Sequence, residues 1–79
     1  MLCKVLSPKG IEFEGEAKSF NVKTRVGEIT ILDHHHPLMT ILERGSGIIK
    51  TASGTRREIA IQSGFLEVDQ RNNLTALIN

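Results

Sequence analysis

The sequence has no tryptophan, no tyrosine and a single cysteine among its 79 residues. One cysteine allows no internal disulfide, which fits a reducing compartment. Nothing near Cys3 in the sequence would lower the pKa of its thiol, so we expect no catalytic cysteine. The 3 phenylalanines are too few for a platform that stacks nucleic-acid bases. We expect them in a hydrophobic core.

An excess of charge of one sign is also missing. The chain has 10 basic and 9 acidic residues, interspersed, with a formal net charge of +1. This balance provides no basic field, so we expect no nucleic-acid partner. No apolar run approaches the roughly 18–20 residues that cross a bilayer, and the N-terminal residues do not resemble a signal peptide. We therefore expect no direct membrane insertion.

What the chain does contain is a series of short apolar or alternating runs, separated by Gly, Pro, Asn and Ser. Such runs, spaced roughly 8–12 residues apart, predict strands rather than helices. Residues 53–55 and 69–73 are suited to hairpin turns. The run at 11–13 is expected to stop before Gly15. The predicted strands are residues 2–6, 11–13, 18–24, 27–32, 37–42, 48–52, 57–62, 64–68 and 74–78.

The alternation within these runs indicates which side chains face a core. In residues 18–24, Phe20 and Val22 fall on one face, and polar side chains fall on the other. The pattern predicts one all-β domain over residues 1–79, a small antiparallel β-sandwich of about eight to ten strands. Residues 37–44 also fit a short helix, but their β-branched content and the flanking glycines favour a strand.

The triplet His34-His35-His36 is the most conspicuous candidate metal site. Three consecutive imidazoles point in different directions in most backbone conformations, and a stable site would need a further ligand such as Asp33. We therefore interpret the triplet as a polar loop and predict neither a metal site nor a cofactor. Phosphate-binding and nucleophile-elbow motifs are absent as well. The residues thus predict a binding or structural domain without catalytic residues.

Residues 27–45 resemble the signature of the epsilon subunit of F-type ATP synthases. Residues 63–68, Ser-Gly-Phe-Leu-Glu-Val, and residues 13–15, Phe-Glu-Gly, resemble flanking family motifs, and the likeness extends over the whole chain. It covers the β-sandwich part, without the C-terminal helical hairpin with which family members usually continue and which carries ATP binding and inhibition of hydrolysis. The positions that match in register are Gly27, Glu28, Ile31, His35, Pro37, Leu38, Thr40 and Gly45.

This resemblance implies a ten-stranded sandwich in the central rotor, which couples the gamma subunit to the membrane c-ring during ion-driven ATP synthesis. The implied location is peripheral, on the cytoplasmic face of the cell inner membrane, through the complex. Glu28, Ile29 and Thr30 would face the c-ring loops. The residues implied on the gamma side are Ser7, His35, Pro37, Leu38 and Thr40.

The chain also departs from the family pattern. Asp33-His34 stands where the family has Pro-Gly, and His36 replaces a small residue. These changes concern the detail of the partner surface rather than the fold. An alternative function is a free-standing β-sandwich binding module outside the ATPase, which would use the His34–His36 triplet for metal.

Overall fold

The structure is a computed structural model that describes residues 1–79. It consists of eight strands and contains no helix, which confirms the all-β prediction. No helix with the length and apolar character of a membrane span is therefore present. The strands are β1 Leu2–Ser7, β2 Gly10–Thr24, β3 Gly27–Leu32, β4 Leu38–Leu42, β5 Gly45–Thr51, β6 Arg56–Ile61, β7 Gly64–Val68 and β8 Asn73–Ile78.

Strand β2 corrects the prediction of separate strands at 11–13 and 18–24. It runs without interruption for 15 residues, because β1 pairs with its first half and places Cys3 opposite Gly15. A Cβ at Gly15 would make an ordinary van der Waals contact with the ring of Phe13, at 3.6 Å. The ladder supplied by β1 therefore overrides the local tendency of this glycine to end a strand.

The strands form two layers that share β2. The first layer contains β4, β7, β8, β1 and the first half of β2, and the second contains the remainder of β2 with β3, β5 and β6. All pairings are antiparallel except that of β1 with β8. Thr24 of β2 also pairs with Leu42 of β4. The predicted sandwich is confirmed, with a strand number at the lower end of the predicted range.

The core lies between the layers and contains one cluster of 16 buried apolar residues. Phe20 and Val22 of β2 are buried as the alternation predicts. Leu74, Ala76 and Ile78 of β8 are buried in the same way, whereas Leu77 between them is exposed. Burial of apolar surface at about 25 cal/mol per Å² is the main stabilising contribution in such a domain.

Two glycines have specific steric roles. Gly27 begins β3 with a φ of 124°, a conformation that side chains rarely adopt and that allows the tight turn after Thr24. The Thr24 hydroxyl donates to the Gly27 carbonyl at 2.7 Å and accepts from the Val26 N–H at 3.2 Å. At Gly64, a Cβ would lie 2.5 Å from the carbonyl oxygen of Leu77. Close pairing of β7 with β8 therefore requires glycine at this position.

Candidate interaction surfaces

The outer face of the first layer carries a continuous line of apolar side chains. Ile41 lies opposite Phe65, Phe65 opposite Leu77, Leu77 opposite Leu6, and Leu6 opposite Ile11. We call these five residues the apolar row. Ile41 is 43 %, Phe65 37 %, Leu77 51 % and Ile11 60 % exposed. A contiguous exposed patch of this kind is typical of a protein interaction site, whereas scattered single residues are not.

The outer face of the second layer is mostly polar. Asn21 lies opposite Thr30, and Lys23 lies opposite Glu28, all with outward side chains. Apolar exceptions are Leu32, which is 58 % exposed, the half-buried Ile48 and the exposed Ala60. We call this surface the polar face; its polar members are Ser19, Asn21, Lys23, Glu28, Thr30, Ser46, Lys50, Arg56 and Glu58.

The three residues predicted to face the c-ring do not all point outward. Glu28 and Thr30 are exposed on the polar face, whereas Ile29 is half-buried and packs against the core. The Asn21 side-chain amide donates to Glu28 Oε2 at 3.2 Å and to Thr30 Oγ1 at 2.7 Å. The structure therefore brings Glu28 and Thr30 together through a third residue that the sequence analysis did not single out.

The residues predicted on the gamma side fall into separate environments. Leu38 and Thr40 are half-buried, whereas the alternate residues Met39 and Ile41 are 65 % and 43 % exposed. Pro37, Leu38 and Met39 line a shallow groove of about 480 Å³ whose rim contains Glu67 and Asp69. This groove adjoins the apolar row because Met39 and Ile41 lie on the same face of β4.

Ser7 is not part of that groove. Its hydroxyl lies 2.5 Å from Glu12 Oε2 and accepts from the Lys9 N–H at 3.1 Å, which fixes the turn between β1 and β2. It lines a different cleft, of about 440 Å³, together with Arg57 and Asn79. Arg57 also lies over the ring of Phe13, with its Cζ 5.7 Å from the ring centroid.

The histidine triplet forms a loop between β3 and β4, as predicted. His34 has a φ of 60° and Asn72 a φ of 64°, a left-handed conformation that disfavours most side chains. The Asn72 side chain joins the two segments, because it accepts from the His34 N–H at 2.7 Å and donates to Asp33 Oδ1 at 2.7 Å. His34 thus adopts a glycine-like conformation at a position where the resembling family has glycine.

The loop does not assemble a metal site. His34 Nε2 lies 3.8 Å from Asp33 Oδ2, and His35 Nδ1 lies 2.7 Å from the carbonyl oxygen of His36. The chain has no group of three or more His, Cys, Asp or Glu side chains placed to hold a metal ion. Metal binding through the triplet therefore has no geometric support.

Several ionisable groups are held in specific charge states. Hydrogen bonds from the Met1 amino group and from Asn72 lower the pKa of Asp33. Backbone hydrogen bonds from Asn73 and Arg71, at 3.0 and 2.8 Å, lower the pKa of Asp69. Burial raises the pKa of the Cys3 thiol to about 12, so this thiol is protonated at neutral pH.

The sequence analysis missed Phe65, Ile41 and Leu77 as surface residues. The alternation of side chains could have identified them, because Leu77 falls between Ala76 and Ile78 in the predicted strand 74–78. If those two residues face the core, Leu77 lies on the outer face. Phe65 bears the same relation to the buried Leu66. The opposition of these residues across neighbouring strands depends on strand order, which the alternation does not specify.

Comparison with known proteins agrees with this architecture. All of residues 1–79 match the family described as ATP synthase, Delta/Epsilon chain, beta-sandwich domain. The chain is 39 % identical over 69 residues to the ATP synthase epsilon chain of Endomicrobium trichonymphae, covering 87 % of this chain and 49 % of that protein. It is 36 % identical over 77 residues to that of Xanthomonas campestris, covering 98 % and 54 % respectively. The chain thus spans about half the length of the curated relatives it matches.

Solved structures show the same fold at lower sequence identity. One is a chain of the Euglena gracilis mitochondrial ATP synthase, with a TM-score of 0.91 at 16 % identity, covering 99 % of this chain and 49 % of that one. Another comes from the Tetrahymena thermophila mitochondrial ATP synthase central stalk and c-ring, with a TM-score of 0.79 at 18 % identity and coverages of 99 % and 62 %. The family match confirms the predicted resemblance and the prediction of a non-catalytic domain. The chain belongs to the delta/epsilon-chain β-sandwich family of ATP synthases.

Proposed function

We propose that this domain acts in the central stalk of an F-type ATP synthase and couples the gamma subunit to the c-ring during ion-driven ATP synthesis. The observation that carries the proposal is the chemical difference between its two outer faces. An exposed apolar row on one layer fits a protein partner that stays bound. A polar face on the other layer fits a weaker, charge-dependent contact.

The apolar row is the surface that we assign to gamma. It begins on β4, the strand that contains Leu38 and Thr40, and its outward residue there is Ile41. The groove lined by Pro37, Leu38 and Met39 extends it toward the His35 loop. Ser7 follows Leu6 along β1 and pairs with Gly10, next to the end of the row formed by Leu6 and Ile11. Leu38 and Thr40 lie on the strand at which this surface begins, and the alternate residues Met39 and Ile41 supply its apolar contact.

The polar face is the surface that we assign to the c-ring loops, through Glu28 and Thr30. Both side chains are exposed, whereas Ile29 supports them from the core side. The location that follows is peripheral to the membrane, on the cytoplasmic face of the cell inner membrane, with attachment through the complex.

The proposal is tested by reversing the character of each face in the full-length subunit. Phe65→Glu should weaken binding to purified gamma at least about tenfold, because burial of an aromatic anchor at an interface often contributes 2 kcal/mol or more. Leu32→Glu, an exposed apolar position on the other layer, is the matched control and should bind gamma normally. Circular dichroism verifies that both variants are folded. Normal gamma binding by Phe65→Glu would refute the assignment, as would an equal loss in Leu32→Glu.

A further inference from the structure

The carboxylate of Glu28 is held by an amide rather than by a cation. The Asn21 side chain lies on the neighbouring strand, directly opposite Thr30 and diagonal to Glu28. Its single amide group donates to both residues, at 3.2 Å to Glu28 Oε2 and at 2.7 Å to Thr30 Oγ1. One residue thus fixes the relative position of the two outward side chains of β3 that we assign to a partner contact.

A lysine is available nearby but does not pair with Glu28. Lys23 lies directly opposite Glu28, yet the six ion pairs of the molecule include neither residue. The stem of Lys23 lies beside Gly45, where an added Cβ would be 3.6 Å from the lysine Cβ and 3.9 Å from its Cδ. Glu28 therefore makes no ion pair with a side-chain cation of the domain.

This arrangement addresses the main weakness of an exposed ion pair. Such a pair contributes only about 0–1 kcal/mol, partly because two long side chains must lose rotational freedom when it forms. A side chain already restrained in the free protein loses less on binding. A neutral donor achieves that restraint without neutralising the carboxylate, whereas a lysine partner would compete with the incoming cation.

We propose that Asn21 is a positioning residue that holds Glu28 and Thr30 ready for a lysine or arginine side chain in a c-ring loop. The inference rests on the proposed function, since it requires Glu28 to face the ring. Beyond the proposed function, it assigns a role to Asn21, which lies on a different strand, and it gives the chemistry of the group that Glu28 binds. That group is a cation, and Thr30 provides a second hydrogen-bonding group beside Glu28.

The test uses the complex of gamma with the full-length subunit and measures its dissociation constant for detergent-purified c-ring at low and high salt. Asn21→Ala should raise the dissociation constant about two- to fivefold at low salt, the range expected for an exposed ion pair. The effect should disappear near 1 M salt, where the Debye length is about 3 Å. Asn21→Gln keeps an amide donor and should restore part of the affinity. Gln62→Ala removes an exposed side-chain amide in the loop between β6 and β7, outside the polar face. It is the matched control and should bind normally.

A cycle of variants separates this proposal from the function on which it rests. If Glu28→Gln weakens ring binding and Asn21→Ala does not, the positioning role is refuted while the ring contact stands. If Glu28→Gln binds normally, the assignment of Glu28 to the ring fails, and the role of Asn21 fails with it. In a background that combines Glu28→Gln with Thr30→Ala, Asn21→Ala should have no further effect. A further loss there would show that Asn21 acts by another route and would refute the proposal.

Discussion

The two outer faces of the sandwich are built on the same strand alternation but differ in what they present to solvent. The first layer exposes Ile41, Phe65 and Leu77 in one line across three strands, whereas the second presents Asn21, Lys23 and Glu28 at comparable positions. Stability of the isolated domain requires apolar side chains only on the inner faces. The apolar character of the first outer face is therefore not required for folding, and it fits the partner contact proposed for this face.

The difference between the two faces fits the two partner contacts that we propose for this small domain. A chain of this size buries only about 60 % of the surface exposed by its unfolded form. The apolar residues that stay exposed after folding are therefore available for contact with a partner. Concentrating such residues on one face leaves the other free for polar contacts that form and break readily. Inner and outer positions, and positions in the two layers, should therefore respond differently to substitution.

The largest effect is expected between two leucines of β8. Leu74 is 1 % exposed and Leu77 is 51 % exposed. Leu74→Ala should lower the free energy of unfolding by about 2–5 kcal/mol, since it leaves a cavity in the core. Leu77→Ala should lower it by about 1 kcal/mol or less, because half of this side chain remains in water after folding. Urea denaturation of both variants measures the contrast. Equal losses of unfolding free energy in the two variants would show that Leu77 supports the fold. The interpretation of the apolar row as a docking surface would then be wrong.

A pair of glycines tests how closely the strands of each layer pack. Gly64→Ala in the first layer should destabilise the domain by about 1–3 kcal/mol, because the new Cβ meets the backbone of β8. Gly45→Ala in the second layer is the control, since its Cβ would make only ordinary contacts with Lys23. It should be neutral or slightly stabilising. Thermal unfolding compares the two, and a Gly64→Ala variant as stable as Gly45→Ala would contradict the close approach of β7 and β8.

In the loop that connects β3 of the second layer to β4 of the first, the backbone conformation of His34 should cost stability that a substitution can recover. His34→Gly should stabilise the domain by about 0.5–1 kcal/mol, since glycine tolerates the left-handed conformation, although it adds entropy to the unfolded chain. His34→Ala keeps the conformational penalty and should give no gain. Denaturant midpoints of the two variants provide the measurement. If alanine stabilises as much as glycine, the backbone conformation is not the cause.

The smallest effect concerns pH and the β7–β8 turn of the first layer. Because the folded state lowers the pKa of Asp69, its ionised form stabilises the fold above the unfolded pKa of about 3.9. That contribution disappears as the pH falls through the lower folded pKa. The wild type should therefore exceed Asp69→Asn in stability at neutral pH, and the difference should vanish in strong acid. Urea midpoints across this range measure it, and a constant difference would rule out ionisation as the cause.

The sequence predicted most of the strands because their apolar periodicity is local. Residues such as Phe20 and Val22, or Ile59 and Ile61, fall at alternate positions and are all buried. The prediction failed at Gly15, where a local signal for ending a strand is overridden by pairing with Cys3 of β1. Such pairing depends on residues distant in the sequence, and no local window contains it.

The candidate surfaces could be predicted only in part, for a related reason. The resemblance indicated Glu28 and the stretch around Leu38, and periodicity could have separated Ile29 and Thr40 from their outward neighbours. The apolar row depends on the order of β4, β7 and β8 and on the parallel pairing of β1 with β8. The contact of Asn21 with Glu28 and Thr30 depends on the cross-strand register. Both are properties of the assembled sheet.

The continuity of β2 through both layers has a mechanical consequence. Its first half carries Ile11 of the apolar row, and its second half carries Asn21 of the polar face. Two separate sheets resist sliding past each other only through the packing of their side chains. Here one covalent backbone, hydrogen-bonded to β1 at one end and to β3 and β5 at the other, ties the two surfaces together. A displacement applied to one face is therefore carried to the other as tension along a strand, with little lost to slip between the layers.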